Sequence, residues 1–393
     1  MKEIDVDVLI VGSGLIGLLA AHCLAQLNYQ VAIIDKKNFN NTRSSFKDTR
    51  TVAVSEGSKK FLQSLFLWEG LKNSAQPISN IRVYDRNPSN KILFQNPEKN
   101  EKLGYVIKNS IFIKYFLKEL QNKKNVRMLY GEELRKIETE HHYSKTCLKN
   151  HIIKSKLIVA ADGKNSQLRH IFGNKVFKKN YSESALVINF NHEKNLNNTA
   201  YEIFYNSGPL AILPMKSKND FFQSSIIWSN KNAFVEKLIN CNNKLIKNIL
   251  HERIGGITGN IININSKQNF PLSAHINDTF YNKRLIYIGD SAHSVHPIAG
   301  QGWNLGVKDV KNLNFLFKKF AQNKKDIGNF VFCKRYNSLS YKNAFQLYQI
   351  TDKLNTHFKN KTKLYRTVSN SGFYFLNNSN KIKNKITNFA MGY

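Results

Sequence analysis

A chain of 393 residues is long enough to bury a large core and to form two domains with a tail. Hydrophobic residues make up 41% and aromatics 12%, too rich for disorder, and no apolar run reaches the roughly 20 residues that cross a bilayer as a helix. Lys and Arg number 59 against 27 Asp and Glu, a formal net charge of +32 spread along the whole chain among asparagines, with no nucleic-acid-binding module in sight.

The opening MKEIDVDVLIVGSG carries acidic residues before its apolar run, which argues against a secretory signal. Val6 to Val11 reads as a strand buried on both faces. GSGLIG follows as a tight turn, then the helix LLAAHCLAQLN, then the strand VAIID, which together make a βαβ unit with a parallel sheet. Near 78–96, ISNIRVYDR and KILFQN look like strands of a second sheet. LIVAADG (157–163) is another short buried strand ending in a polar turn. From about 180 to 270 the texture alternates with period two (ALVINFNH, TAYEIFY, GPLAILPM, FFQSSIIWS), as half-buried antiparallel strands do. LIYIGD (285–290) repeats the buried form, so that one sheet is expected to present its carboxyl edge to a ligand. From about 305 the pattern is helical and ends in a polar, Lys/Asn-rich tail.

Three segments carry chemistry. In Gly12-Ser13-Gly14-Leu15-Ile16-Gly17, Gly12 permits the turn, Gly14 lets a pyrophosphate approach the backbone, and Gly17 lets helix and strand pack closely. The helix N-terminus favours phosphate, and Asp35 closes the next strand where an acid meets a ribose hydroxyl. This spacing predicts a dinucleotide without saying which. In Ala161-Asp162-Gly163-Lys164-Asn165-Ser166-Gln167-Leu168-Arg169, Asp-Gly alone is a turn, whose use would be a carboxylate and a serine hydroxyl at the sheet edge. The third segment, Gly289 to Gly306 (GDSAHSVHPIAGQGWNLG), delivers Asp290 from a strand. A compact loop with Pro297, Gly300, Gln301 and Gly302 leads through Trp303-Asn304 toward a helix. Loop glycines and a helix N-terminus suit an isoalloxazine ring, which is negative at its N1–C2 edge when reduced. His293 and His296 lack a carboxylate cluster or cysteines nearby, so no metal is expected, and they are expected to bond within their own loop. The four cysteines form no CxxC pair and fit a reducing compartment.

Taken together, in this order and separation, the three segments resemble the fingerprints of the class A flavoprotein aromatic hydroxylases, and most of all the ubiquinone-biosynthesis hydroxylase family. Further family-like pieces are DTRTVAVSEGSKKFL (48–62), LGYVIKNSIF (103–112), GPLAILPM (208–215), TDKLN (351–355) and AMGY (390–393), so the resemblance covers essentially the whole chain. It implies an α/β fold, a Rossmann-like FAD-binding domain (p-hydroxybenzoate hydroxylase-like) with an inserted antiparallel β-sheet substrate domain and a C-terminal helical segment. The FAD-binding parts would span 1–77, 99–180 and 271–345, the substrate domain 78–98 and 181–270, and the C-terminal helical segment 346–393.

The resemblance also implies roles. Gly12, Gly14, Gly17 and Asp35 would hold the ADP half of FAD, and Asp290 the ribityl chain. Pro297, Gly300, Gln301, Gly302, Trp303 and Asn304 would line the isoalloxazine, with Arg50 near the flavin and Asp162 in a motif tied to FAD and NADPH. The implied reaction is hydroxylation of the ring of a polyprenylated phenol through a flavin hydroperoxide, with NADPH, NADH or a ferredoxin-type donor as the electron source. A soluble phenolic acid is the alternative substrate. The implied setting is cytoplasmic, either free, in a ubiquinone-biosynthesis complex, or peripheral on the inner membrane, with no nucleic-acid partner. The positive charge is explained either by lysine–asparagine codon bias or by attraction to anionic lipid. Two positions depart from the family: Lys108 stands where an acid is common, and Asp35 where glutamate is commoner.

Overall fold

The computed structural model describes residues 2–38, 48–85, 91–96, 101–217, 221–323, 325–360 and 362–392, so Tyr393 of the closing AMGY lies outside the described residues. Val8, Leu9 and Ile10 are fully buried, as the apolar run interrupted only at Asp7 predicts, because their strand Lys2–Val11 lies at the centre of a sheet covered on both faces. The sheet order is Tyr281–Asn282, Leu285–Tyr287, His151–Ala160, Lys2–Val11, Val31–Asp35 and Val126–Tyr130. All neighbours from Leu285–Tyr287 to Val126–Tyr130 run parallel. Ser144–Leu148 and Leu134–Thr139 extend it as an antiparallel flap on His151–Ala160. Helix Leu15–Gln26 packs against helices Asn109–Gln121 and Gly302–Gln322 and seals the core. A small sheet, Thr51–Ser55, Gly104–Lys108 and Gln76–Ile78, joins this domain to the next.

The second sheet runs His293–Ser294, Ile261–Asn277, Val176–His192, Phe222–Lys231, Gly208–Met215, Thr199–Tyr205, Asn80–Tyr84 and Lys91–Gln95. It is antiparallel except where Asn80–Tyr84 joins Thr199–Tyr205 in parallel. Strand alternation turns Leu186, Ile188, Tyr201, Ile203, Leu210 and Ile226 to one face, onto helices Asn232–Asn240 and Asn243–Thr258. Those two helices were not expected from the period-two texture of 181–270. Their buried Val235, Leu238, Ile246, Leu250 and Ile254 are spaced by three, four and eight positions, which is helical.

The opposite face of the sheet looks back at the first domain, where Asn189 Nδ2 donates to the Thr49 carbonyl at 2.8 Å. Helices Phe330–Lys359, Lys363–Asn378 and Asn380–Met391 close the molecule, with Phe358 stacked on Phe204 at 3.8 Å between ring centroids. Among the described residues, no helix is long and apolar enough to cross a membrane.

Candidate active site

The parallel strands end side by side, and the turns that leave them hold the three segments. Gly12 has φ +105°, and a Cβ there would lie 2.3 Å from the Ala161 carbonyl oxygen, so two turns touch through bare backbone. A Cβ on Gly17 would lie 2.1 Å from the Gly12 carbonyl oxygen, which is the close helix–strand contact expected of it. Gly14 differs: a Cβ would meet nothing within 4 Å, and no side chain caps the helix that begins beside it. Asp35 ties the first turn together. Its Oδ2 accepts from Ser13 N at 2.8 Å and Ser13 Oγ at 2.7 Å, and its Oδ1 accepts from Lys37 N at 2.9 Å.

In the second segment Asp162 Oδ2 accepts from Leu168 N at 3.1 Å, while Oδ1 is buried without a hydrogen-bond partner. Burial pushes the Asp162 carboxyl above its ordinary value, against the hydrogen bonds it accepts. Ser166 caps the helix Gln167–Ile171 by accepting from Arg169 N at 3.0 Å. Arg169 carries the structural load of this region, a role that sequence reading did not assign. Its Nη2 donates to the Lys164 carbonyl at 2.7 Å, and its Nη1 donates to the Ser291 carbonyl at 3.2 Å and to His275 Nε2 at 3.1 Å. Burial, together with the Arg169 charge, lowers His275 to about 3, so its ring is neutral and accepts. The buried guanidinium thus fastens the second segment to the third.

In the third segment Asp290 is open to the crevice although protein atoms surround it. Burial raises its carboxyl, and the charges of His293, Arg50 and Lys164 act in the other direction. Arg50 is held by Asp48, with Nε at 2.9 Å from Oδ1 and Nη2 at 2.7 Å from Oδ2, and its guanidinium lies 4.7 Å over the Phe270 ring. The two histidines do not bond within their loop as expected. His293 Nε2 lies 2.7 Å from Oδ2 of Asp309 on the following helix, and the same oxygen accepts from Gly289 N at 2.9 Å. His296 Nε2 faces Glu183 Oε2 of the other sheet at 3.9 Å, too long for a hydrogen bond.

Pro297 precedes a single 3-10 turn, Ile298–Gly300, and Gly300 takes φ +60°. Gln301 Nε2 donates to the Ala390 carbonyl at 3.3 Å, which brings the C-terminal helix to the loop. A Cβ on Gly302 would meet nothing within 4 Å, and its helix, like the first, has no side-chain cap. Trp303 packs 5.2 Å from the Phe112 ring with a buried Nε1 that has no partner, and Thr51 Oγ1 is in the same condition. Asn304 is spent on the protein itself. Its Oδ1 accepts from Ser55 N and Ser58 Oγ, both at 2.9 Å, and its Nδ2 donates to the Ala53 carbonyl at 2.9 Å. Asn304→Ala is expected to cost about 2–4 kcal/mol through these lost bonds and to loosen the loop. A thermal melt with a flavin-content assay checks this, and an unchanged melting temperature would remove the anchoring role.

Two uncapped helix starts and two glycines with room above them thus belong to the turns that leave the parallel strands, and the adjoining segments hold buried polar atoms without partners at Asp162, Trp303 and Thr51. The free N–H groups of the two helix starts fit a long ligand with an anionic middle and a planar polar end, as FAD has. Among the described residues, no three His, Cys, Asp or Glu side chains gather to hold a metal ion.

Comparison with known proteins agrees with the crevice. The FAD binding domain family matches residues 5–328. The chain is 27% identical over 387 residues to the ubiquinone hydroxylase UbiL of Rhodospirillum rubrum, covering 98% of this chain and 89% of that protein. It is 24% identical over 395 residues to the 3-demethoxyubiquinol 3-hydroxylase of Escherichia coli, covering 100% of both. The p-nitrophenol 4-monooxygenase PnpA of Pseudomonas putida has the same fold, with a TM-score of 0.78 at 17% identity, over 100% of this chain and 98% of that one. PqsL of Pseudomonas aeruginosa, in complex with 2-aminobenzoylacetate, scores 0.79 at 16% identity, over 95% of this chain and 100% of that one. The chain belongs to the FAD binding domain family and is an FAD-dependent monooxygenase, an oxidoreductase with the p-hydroxybenzoate hydroxylase-like class A fold.

Proposed function

We propose that this monooxygenase hydroxylates the aromatic ring of a polyprenylated phenol in ubiquinone biosynthesis. In this reading the pyrophosphate of FAD enters over Gly12, Gly14 and Gly17, the ribose meets Asp35, and Asp290 meets the ribityl chain. Asp162 and Arg50 border the same crevice, and the loop from Pro297 through Gly300, Gln301, Gly302 and Trp303 borders the isoalloxazine, with Asn304 holding that loop in shape. FAD supplies the oxygen chemistry when bound and reduced. The chain binds it, excludes water and aims the ring carbon. NADPH, NADH or a ferredoxin-type protein supplies the electrons.

The observation that carries the substrate class is the apolar wall beside Pro297. Ile298 shares a cluster with Ile92, Phe204, Phe358 and Phe373, bordered by Val83, Phe94, Leu354 and Leu376. The strand Thr199–Tyr205, which gives Phe204 to that wall, and its neighbour Gly208–Met215 contain no Lys or Arg to receive a carboxylate. An isoprenoid chain fits such a wall and a phenolic acid does not. The full-length likeness to ubiquinone hydroxylases points the same way. Exposed Val368, Tyr374 and Phe375 on helix Lys363–Asn378, with the surplus of lysines, support contact with an anionic membrane face, alone or inside a biosynthetic complex.

The test is mass-spectrometric profiling of quinone intermediates in cells that lack a ring hydroxylase and express this gene. Restored ubiquinone is the expected result, and the intermediate that disappears names the ring carbon. No restoration, with FAD bound to the purified protein, would replace this substrate with a soluble phenol.

A further inference from the structure

Strand Thr199–Tyr205 reads TAYEIFY, and its alternation sorts its side chains between two environments. Tyr201 and Ile203 belong to the cluster under the helices of the second sheet. Ala200 and Phe204 belong to the clusters on the other face, Ala200 with Leu213, Met215 and Val106, and Phe204 with Ile298 of the Pro297 loop. Glu202 stands between Ala200 and Phe204 and therefore shares their face. Its neighbours across the sheet are Val83 on one side and Ala211 on the other, both without polar side-chain atoms. No hydrogen bond or ion pair reaches its carboxyl among the described residues.

Glu202 is half-buried, with protein atoms packed round its carboxyl; an unpaired carboxyl in such surroundings costs folding free energy, and it persists where a ligand supplies the partner. Two fully buried polar atoms on the same face also lack a partner. Ser225 pairs with Leu213 and with Asn189 in register, and the Ser225 Oγ and Asn189 Oδ1 are buried without partners. The wall is thus apolar toward Phe204 and Phe358 and holds a few unanswered polar atoms around Glu202 and Ser225.

We propose that Glu202 is the group that receives the hydroxyl proton of the phenolic substrate. The step moves one proton: the phenol O–H bond breaks, the Glu202 carboxylate gains an O–H bond, and the electron pair stays on the phenolate oxygen. The phenolate ring is then richer in electrons at the carbon that is attacked. This rests on a phenolic substrate, as argued above, and it names the base that the sequence motifs do not contain. Burial alone raises the Glu202 carboxyl to about 8, closer to a phenol than an ordinary glutamate is, which favours transfer between them. Charged neighbours do not account for that rise. Arg82 pairs with Tyr201 on the opposite face. On helix Phe330–Lys359, which packs against this strand, Asp352 is engaged by Lys179, Lys359 by Glu183 and His357 by Ser369.

Two measurements on the FAD-loaded enzyme test it. The first is the pH profile of hydroxylation of a short-chain prenylphenol by wild type, Glu202→Gln and Glu202→Asp, with hydrogen peroxide release as the measure of uncoupling. The wild-type rate should rise with pH through about 8 as the carboxylate forms. Glu202→Gln should lose about 100-fold or more in kcat, lose that limb of the profile and release peroxide, while Glu202→Asp recovers the limb. Flavin content should be equal in all three.

The second needs no turnover: binding of 4-nitrophenol, read at its visible phenolate band. An ionised Glu202 repels a bound phenolate, so the wild-type Kd should weaken by up to about tenfold per pH unit above about 8, and that of Glu202→Gln should not. A wild type that hydroxylates the prenylphenol and a Glu202→Gln variant that matches it in rate, pH profile and coupling would overturn the proposal. If wild type hydroxylates no prenylphenol, the substrate reading fails and the 4-nitrophenol titration decides Glu202 by itself, flat curves for both proteins overturning it.

Discussion

Gly17→Ala is expected to yield a protein that purifies without flavin and melts well below wild type. The added methyl would sit 2.1 Å from the Gly12 carbonyl oxygen, and that atom is backbone, so no side chain can turn aside. Gly12 cannot retreat either, because the space where its own Cβ would stand is filled by the Ala161 carbonyl at 2.3 Å. Overpacking of this kind costs about 1–3 kcal/mol or more, and here it falls on the contact that aligns two turns of the crevice. Gly14→Ala is the control, since its Cβ would meet no protein atom within 4 Å. That variant should keep the melting temperature of the flavin-free protein and lose affinity for FAD. Absorbance of the bound flavin and a thermal melt with and without added FAD separate the two. A Gly17→Ala protein with normal flavin content would show that helix and strand can part at no cost.

The second large effect belongs to Asp309. Its side chain and that of His293 are each 2% exposed, and Asp309 Oδ2 also receives the Gly289 N–H. Burial opposes a charged His293, but the attraction and hydrogen bond of Asp309, with the charge of Asp290, outweigh it and hold the imidazole above its ordinary value. Asp309→Ala leaves that imidazole buried without its acceptor and the Gly289 N–H unanswered. A loss of about 3–5 kcal/mol is expected for breaking such a buried pair from one side.

The pH dependence has a definite sign. A group whose pKa is raised on folding stabilises fully below its unfolded value, about 6.5 for histidine, and loses that contribution as pH rises through the folded value. The gap in melting temperature between wild type and Asp309→Ala should therefore be widest below about pH 6.5 and shrink in alkali. A gap that widens toward high pH would mean that His293 is neutral in the folded protein.

What could be read in the sequence was what neighbouring residues determine together. The strand around Val8 to Ile10, the glycines at 12, 14 and 17 and the turn from Asp290 to Gly302 each carry their meaning in local spacing, and the structure gathers them along one edge. What could not be read depends on partners far along the chain. Arg169 stands in a segment that was singled out, yet its bonds run to Ser291 and His275. His293 and His296 look like a pair in sequence and turn to different domains, one to Asp309 and the other toward Glu183. Glu202 is hardest to see. In TAYEIFY it occupies an ordinary polar position of an alternating strand, and only strand register tells that its face is the inner one. Helices Asn232–Asn240 and Asn243–Thr258 were missed because the strong alternation on either side overrode a helical spacing in short polar stretches.

The edge of the parallel sheet also dictates when the protein can become an enzyme. Its turns come from Gly12, Asp35, Asp162 and Asp290, so a growing chain has half of them once strand Val31–Asp35 is made and the last only when three quarters of it has been made. His151–Ala160 must slot in beside Lys2–Val11 before Leu285–Tyr287 has anything to pair with. Pairings between such distant stretches form slowly, and a nascent chain waits with an open strand edge exposed. A flavin that needs every turn of that edge can bind only after the last parallel strand arrives, so yellow colour in a preparation would report a closed parallel sheet, and a chaperone that shields the half-built sheet would raise the yield more than extra riboflavin would.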